Sequence, residues 1–170
     1  YCLNCKRCEV ACPSGVRIGD IIQAARIKFN TQPPKLRDMI LANTDIMGSL
    51  ATTVAPVVNA TVSLKPAKMV MDSVLKIDKH RTFPKYASRT FESWYKKNVK
   101  AFQDSFKRHV SFFHGCYVNY NYPQLGKDLI SVMNALGYGV HLLENEKCCG
   151  TALISNRMID QAKKNAVNNI

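Results

Sequence analysis

Four cysteines stand at the start of the chain, Cys2, Cys5, Cys8 and Cys12, spaced C-x2-C-x2-C-x3-C and followed by Pro13. Gaps of two let successive thiolates reach separate iron corners of one small iron–sulfur cube. The gap of three turns the fourth sulfur away, and in two-cluster proteins it serves the other cluster. The spacing predicts that Cys2, Cys5 and Cys8 share one 4Fe–4S cluster and that Cys12 ligates a second. Pro13 stops the short helical turn that carries Cys12. Zinc and disulfide bonds are the competing uses of such thiols. Zinc sites usually draw on two separated pairs, and a disulfide framework belongs to small, cysteine-dense secreted domains. Here no cysteine lies between Cys12 and Cys116.

The remaining cysteines are Cys116 and the adjacent pair Cys148 and Cys149, followed by Gly150. Their setting reads as a strand–helix–strand unit. Residues 109–113 (His-Val-Ser-Phe-Phe) are a short strand ended by Gly115. Pro123 opens a helix with Leu125, Leu129, Met133 and Leu136 along one face, and Gly137 stops it. Residues 139–143 are the next strand. Such a crossover is parallel and right-handed. Loops that follow parallel strands lie at one edge of a sheet, where ligands bind. Cys116 and Cys148/Cys149 are therefore expected at one site, close to helix N-termini that stabilise thiolates. Neighbouring cysteines cannot both ligate one metal without strain, so the pair suggests an unusual cluster or one redox-active thiol. A buried thiol pair and a vicinal disulfide are the plainer alternatives. His80, His109, His114 and His141 are scattered and read as structural or exposed; His114, two residues before Cys116, is the exception worth following.

The elements that position these groups are mostly helical. Asp20 is expected to cap a helix with an apolar stripe of Ile21, Ile22, Ala25 and Phe29. Pro33 and Pro34 end that segment and seed the next. Residues 46–64 carry no charge, and their apolar side chains fall near one helical face that Pro56 breaks or kinks. This segment suits either a helix packed on the core or a partner, or an interfacial helix on a lipid surface. Pro66 opens a further helix with Ala67, Val70, Met71, Val74 and Leu75 on one stripe. Residues 82–88 read as a linker, and Phe91, Trp94, Tyr95 and Phe102 follow among lysines.

The bulk numbers fit this reading. Hydrophobic residues make up 46% of 170, as in a globular chain. No uninterrupted apolar run reaches the length that spans a bilayer, and cysteines grouped as metal ligands indicate a reducing compartment. The net charge is +12, and residues 65–108 carry twelve Lys/Arg against four Asp/Glu. Such a face can meet an acidic protein, an anionic membrane or nucleic acid, or simply be solvated. No nucleic-acid module is recognisable, so a nucleic-acid partner is not expected. The chain begins one residue before a ligand and holds one cysteine run where two-cluster modules need two, so the reading expects a fragment, with both cubanes completed by upstream cysteines.

Cys116 and the Cys148-Cys149-Gly150 step resemble the cysteine-rich CCG domain of heterodisulfide reductase and related iron–sulfur oxidoreductases. Preceded by a ferredoxin run, that domain is similar to those of respiratory dehydrogenase electron-transfer subunits. The connecting text resembles the C-subunit family of anaerobic glycerol-3-phosphate dehydrogenases across nearly the whole chain. The matching stretches are Tyr1-Cys-Leu-Asn-Cys-Lys-Arg-Cys-Glu-Val-Ala-Cys-Pro-Ser, Ile18-Gly-Asp-Ile-Ile-Gln, Pro84-Lys-Tyr, Phe112-Phe-His-Gly-Cys, Asn119-Tyr-Asn and Pro123-Gln-Leu-Gly-Lys-Asp. The resemblance implies an α+β chain. Residues 1–32 would be the second half of a helical 4Fe–4S ferredoxin domain, 33–108 a helical basic connecting region, and 109–170 the first part of a CCG domain.

It also implies an electron carrier with no substrate chemistry of its own. A flavin-containing partner oxidises glycerol 3-phosphate, and the iron–sulfur subunit relays electrons to menaquinone in anaerobic respiration. That carrier touches the cytoplasmic face of the bacterial inner membrane peripherally. Two 4Fe–4S clusters, and a further iron–sulfur cluster at Cys116, Cys148 and Cys149, are the implied cofactors. The alternative family reading is an iron–sulfur subunit of a glycolate or lactate oxidase or of a heterodisulfide-reductase-like complex. No general base, nucleophile or phosphate loop suggests that this chain itself turns over a substrate.

Overall fold

A computed structural model describes residues 2, 5–29 and 33–170. The first helical turn, α1 (Arg7–Val10), carries Cys8. Its capping residue Lys6 adopts a left-handed conformation with φ 62°, and its ammonium meets Glu9 at 3.1 Å and also pairs with Asp20. Helix α2 (Ile18–Phe29) begins two residues before the expected cap. Asp20 lies inside the first turn, where its backbone N–H is accepted by the Glu9 carboxylate at 3.2 Å. Glu9 thus does from outside what a capping side chain does locally. The stripe expected to be buried on α2 is largely outward, with Ile21 and Phe29 exposed. Helix α3 (Leu36–Ala42) starts after the Pro33–Pro34 pair rather than at it, with the Asp38 carboxylate accepting the Lys35 N–H at 3.2 Å.

The uncharged stretch 46–64 is not one kinked helix. It is two, α4 (Thr44–Thr53) and α5 (Ala55–Ser63), bent by 106°. The break falls at Val54, because Pro56 at the start of α5 cannot donate back into α4. The small residues Gly48, Ala51, Thr52 and Ala55 face inward; Ile46, Leu50, Val54 and Val57 face out. Helix α6 (Lys65–Leu75) follows, with Val70 and Val74 exposed, so its apolar stripe does not reach the core. Among the described residues no single helix is long and apolar enough to cross a membrane.

The linker over 82–88 is irregular but tied down. Asn59 exchanges two hydrogen bonds with the Tyr86 backbone, both 2.8 Å, and Ala87 N–H donates to the Tyr120 carbonyl at 2.8 Å. Helix α7 (Phe91–Asn98) is capped by Thr90, and a short α8 (Lys100–Gln103) follows. Strand β1 (Arg108–Phe112), α9 (Gly115–Tyr120), α10 (Pro123–Ala135) and β2 (Tyr138–Leu142) form the expected parallel crossover, with Val110 paired to Val140.

Phe91, Tyr95, Val118, Ile130 and Val140 make the main core. Of the aromatics that stand among lysines, Phe91 and Tyr95 are core anchors and Trp94 packs against them, while Phe102 is exposed. On α10 the buried line is Gly126 and Ile130; Leu125 and Leu136, expected inside, are exposed. Gly126 is small because the Phe91 ring lies against it. Tyr95 donates its hydroxyl to the Val140 carbonyl at 2.6 Å, and the Gln103 side-chain oxygen accepts the Val140 N–H at 2.9 Å. Helices α11 (Thr151–Ser155) and α12 (Ile159–Asn168) close a second small core of Ala42, Leu153 and Ala162 against α3.

Candidate functional site

Both strands of the crossover end at the same edge, and there the chain turns sharply. Gly115 takes φ 65°, which a side chain would resist, and this aims Cys116 into the first turn of α9. The return loop after β2 passes Glu146, whose side chain is 5% exposed. Its two carboxylate oxygens accept the Gly115 N–H at 2.6 Å and the His114 N–H at 3.0 Å. The His114 ring, also buried, sits 3.3 Å from the same carboxylate. One acidic side chain therefore staples the loop bearing Cys116 to the loop bearing Cys148. Burial pushes the Glu146 carboxyl above its ordinary range, and the neighbouring imidazole and the two N–H groups pull the other way.

Cys148 is 4% exposed. Its backbone N–H donates to the Asp45 carboxylate at 2.8 Å, and its carbonyl accepts the Asn165 amide at 3.1 Å. The Thr44 hydroxyl donates to its sulfur at 3.2 Å. Its thiol lies within hydrogen-bonding reach of Cys116. That bond splits the pair. The Cys148 thiol donating to Cys116 is the largest influence drawing Cys116 down to about 6; the Thr44 hydroxyl adds to it and burial opposes it. Cys148 is pushed up by the same bond and by burial, so it keeps its proton. In the metal-free site, then, one thiolate and one thiol face each other.

Cys149 is exposed, with its sulfur 3.4 Å from the Thr151 hydroxyl. Of the two adjacent cysteines, Cys148 is buried and Cys149 is exposed. A cavity of about 210 Å³ opens beside Cys116, lined among others by Asp45, Glu92, Asn119, Glu146 and Lys147. Two neighbouring soft sulfurs, with the Thr44 hydroxyl donating to that of Cys148, suit an iron–sulfur group. Among the described residues no three His, Cys, Asp or Glu side chains converge closely enough to hold a metal ion. Cys149 joins the other two only if its side chain turns away from Thr151.

The first cysteine run lies apart from this site in the sequence and on different elements. Cys5 and Cys8 are exposed, and Cys12 is half-buried with its sulfur accepting the Val16 N–H at 3.4 Å. The Cys2 carbonyl accepts the Arg26 guanidinium at 2.8 Å, which ties the run to α2. Lys6, which stands between Cys5 and Cys8, is committed to Glu9 and Asp20. Of the other histidines, His80 is exposed, while His109 and His141 meet ring to ring at 4.5 Å on the sheet, away from the cysteines.

Sequence reasoning missed Thr44, Asp45, Glu146 and Asn165. None of the four belongs to a motif in the sequence. Their roles depend on contacts across 17 to 104 residues, which no local pattern announces.

Residues 110–170 match the cysteine-rich domain family designated CCG. The chain is 58% identical over 93% of its length to the C subunit of the anaerobic glycerol-3-phosphate dehydrogenase of Escherichia coli, and covers 40% of that protein. It is 31% identical over 49% of its length to the B subunit of the fumarate reductase (CoM/CoB) of Methanothermobacter marburgensis, covering 18% of it. An uncharacterized iron–sulfur protein of Methanocaldococcus jannaschii is 38% identical over 35% of the chain, 12% of that protein. No solved structure matches. The chain thus spans about 40% of the length of the curated Escherichia coli relatives it matches. Residues 110–170 are thus similar to the CCG cysteine-rich domain, within a chain that over 93% of its length is similar to the C subunit of anaerobic glycerol-3-phosphate dehydrogenase.

Proposed function

We propose that this chain is part of the iron–sulfur electron-transfer subunit of an anaerobic glycerol-3-phosphate dehydrogenase. The observation that carries the proposal is the meeting of Cys116 and Cys148 at one sheet edge, in a chain that also holds the Cys2, Cys5, Cys8 and Cys12 run. In this reading residues 1–32 are half of a helical ferredoxin domain, 33–108 connect, and 109–170 begin the CCG domain. Cys2, Cys5 and Cys8 hold one 4Fe–4S cluster, Cys12 a second, and Cys116, Cys148 and Cys149 a further iron–sulfur group. Bound there, these groups supply one-electron transfer. The chain's own residues hold the sulfurs, exclude water around Cys148 and fix the loops through Glu146.

The partners in this reading are flavin-containing dehydrogenase subunits upstream and the menaquinone pool downstream. The site is the cytoplasmic face of the inner membrane. The exposed apolar side chains of α4 and α5, beside the basic stretch that follows them, support peripheral contact with lipid. The test is iron and acid-labile sulfide analysis of the full-length subunit purified without oxygen. Equal iron and sulfide, at two cubanes or more per chain, is the expected result. Zinc without sulfide would overturn the relay and leave an interaction module.

A further inference from the structure

We propose that Thr44 and Asp45, which lie outside the cysteine-rich domain, are positioning residues for its thiol site, so that helix α4 is a working part of that site rather than a connector. The proposal rests on the reading of Cys116 and Cys148 as ligands of an iron–sulfur group.

Two consecutive residues grip both ends of one cysteine. The Thr44 hydroxyl donates to the Cys148 sulfur at 3.2 Å, and the Asp45 carboxylate accepts the Cys148 N–H at 2.8 Å. These contacts cross 104 and 103 residues of sequence. Neither is explained by helix capping: the residue at the cap position, Asn43, makes no side-chain cap bond, and Thr44 and Asp45 direct their polar atoms to Cys148. The helix is also seated firmly enough to aim them. A Cβ on Gly48 would lie 2.2 Å from the Tyr120 ring of α9, so the bare backbone of α4 lets that ring close against it. Helix α9 begins at Gly115 and carries Cys116. Helix α4 therefore touches Cys148 itself and the helix that carries Cys116.

Hydrogen bonds to ligand sulfurs, and the outer partners that orient ligands, are among the strongest determinants of an iron–sulfur potential. A hydroxyl donating to sulfur stabilises the more negative, reduced state. Its removal lowers the potential without removing a ligand. An N–H held by Asp45 fixes the Cys148 backbone, so its release lets the sulfur drift.

The experiment uses the full-length subunit, purified anaerobically, with two pairs of variants. Thr44→Val and Asp45→Ala remove the contacts; Thr44→Ser and Asp45→Asn retain a hydroxyl donor and an amide acceptor. Three quantities are read: iron and sulfide per chain, the potentiometric midpoint and paramagnetic resonance spectrum, and amide hydrogen exchange at Cys148 measured in both loaded and metal-free protein. Thr44→Val is expected to keep its iron and sulfide, shift the midpoint downward and alter the spectrum, with Thr44→Ser close to the parent. Asp45→Ala is expected to lose the exchange protection of the Cys148 amide, and Asp45→Asn to keep it. Unchanged midpoint and spectrum in both removing variants would overturn the proposal. So would equal damage in the removing and retaining variants, because the fold rather than the contact would then be at fault. A parent protein without iron and sulfide would defeat the cluster reading by itself. The exchange arm then decides the positioning on its own: loss of protection in Asp45→Ala with retention in Asp45→Asn supports it, and protection in both overturns it.

Discussion

The cysteines of the second site are chemically unequal, although the sequence presents them as a set. Cys116 is lowered to about 6 by the thiol of Cys148, and Cys148 retains its proton. A lowered value means that the thiolate form is favoured above about pH 6 and lost below it. In metal-free protein the alkylation of Cys116 by iodoacetamide is therefore expected to rise through pH 6 and level off by about pH 8. An ordinary thiol, with a pKa of about 8.5, still gains reactivity there. Peptide mapping with mass spectrometry follows the residue. A Cys116 profile that keeps climbing past pH 8, or Cys148 reacting first, would contradict the assigned roles. At this scale the ligand candidates were legible, because thiol spacing is local and chemically specific. The residues that act on them were not: Thr44 lies 104 residues from Cys148 in sequence, and only the folded loops show that Glu146 holds two backbone N–H groups at once.

At the scale of elements, the strand–helix–strand unit was readable from Pro123, Gly137 and two short β-rich runs, and the fold reproduces it within a residue or so. The faces were less readable. The apolar spacing on α10 put Leu125 and Leu136 inside, but a glycine decides the packing, because the fully buried Phe91 ring occupies the groove over Gly126. A Cβ there would stand 2.5 Å from Phe91. Gly126→Ala is accordingly expected to cost about 1–3 kcal/mol through overpacking of the core, read as a lowered denaturant midpoint with an unchanged slope. A midpoint at or above the parent's would show that the ring yields freely. On α4 and α5 the pattern misled in the same direction. Large apolar residues suggest a buried face, yet the buried positions are Gly48, Ala51, Thr52 and Ala55, since small side chains let α4 approach α9.

For the whole molecule, charge and exposed apolar surface lie next to each other. Ile46, Leu50, Val54 and Val57 are open to solvent on α4 and α5, and the basic stretch over 65–108 follows at once. The full-length subunit is expected to sediment with vesicles containing anionic lipid, weakly with neutral ones, and less as salt rises. Leu50→Glu with Val57→Glu should weaken sedimentation and leave the iron content unchanged. Equal partition to neutral and anionic vesicles would remove the electrostatic part of the membrane proposal, and no sedimentation would remove all of it. The overall layout, including the break at Pro56, was legible where signals are local; the docking of α4 beside Cys148 was not, because it is set by distant packing. That docking also imposes an order in time. Thr44 leaves the ribosome 104 residues before Cys148, an interval of roughly five to twenty seconds at ordinary translation rates of about 5–20 residues per second. For roughly the last third of that interval the growing chain displays Cys116 before Cys148 has been made. Any group held by Cys116 and Cys148 together can enter only after synthesis has passed Cys148.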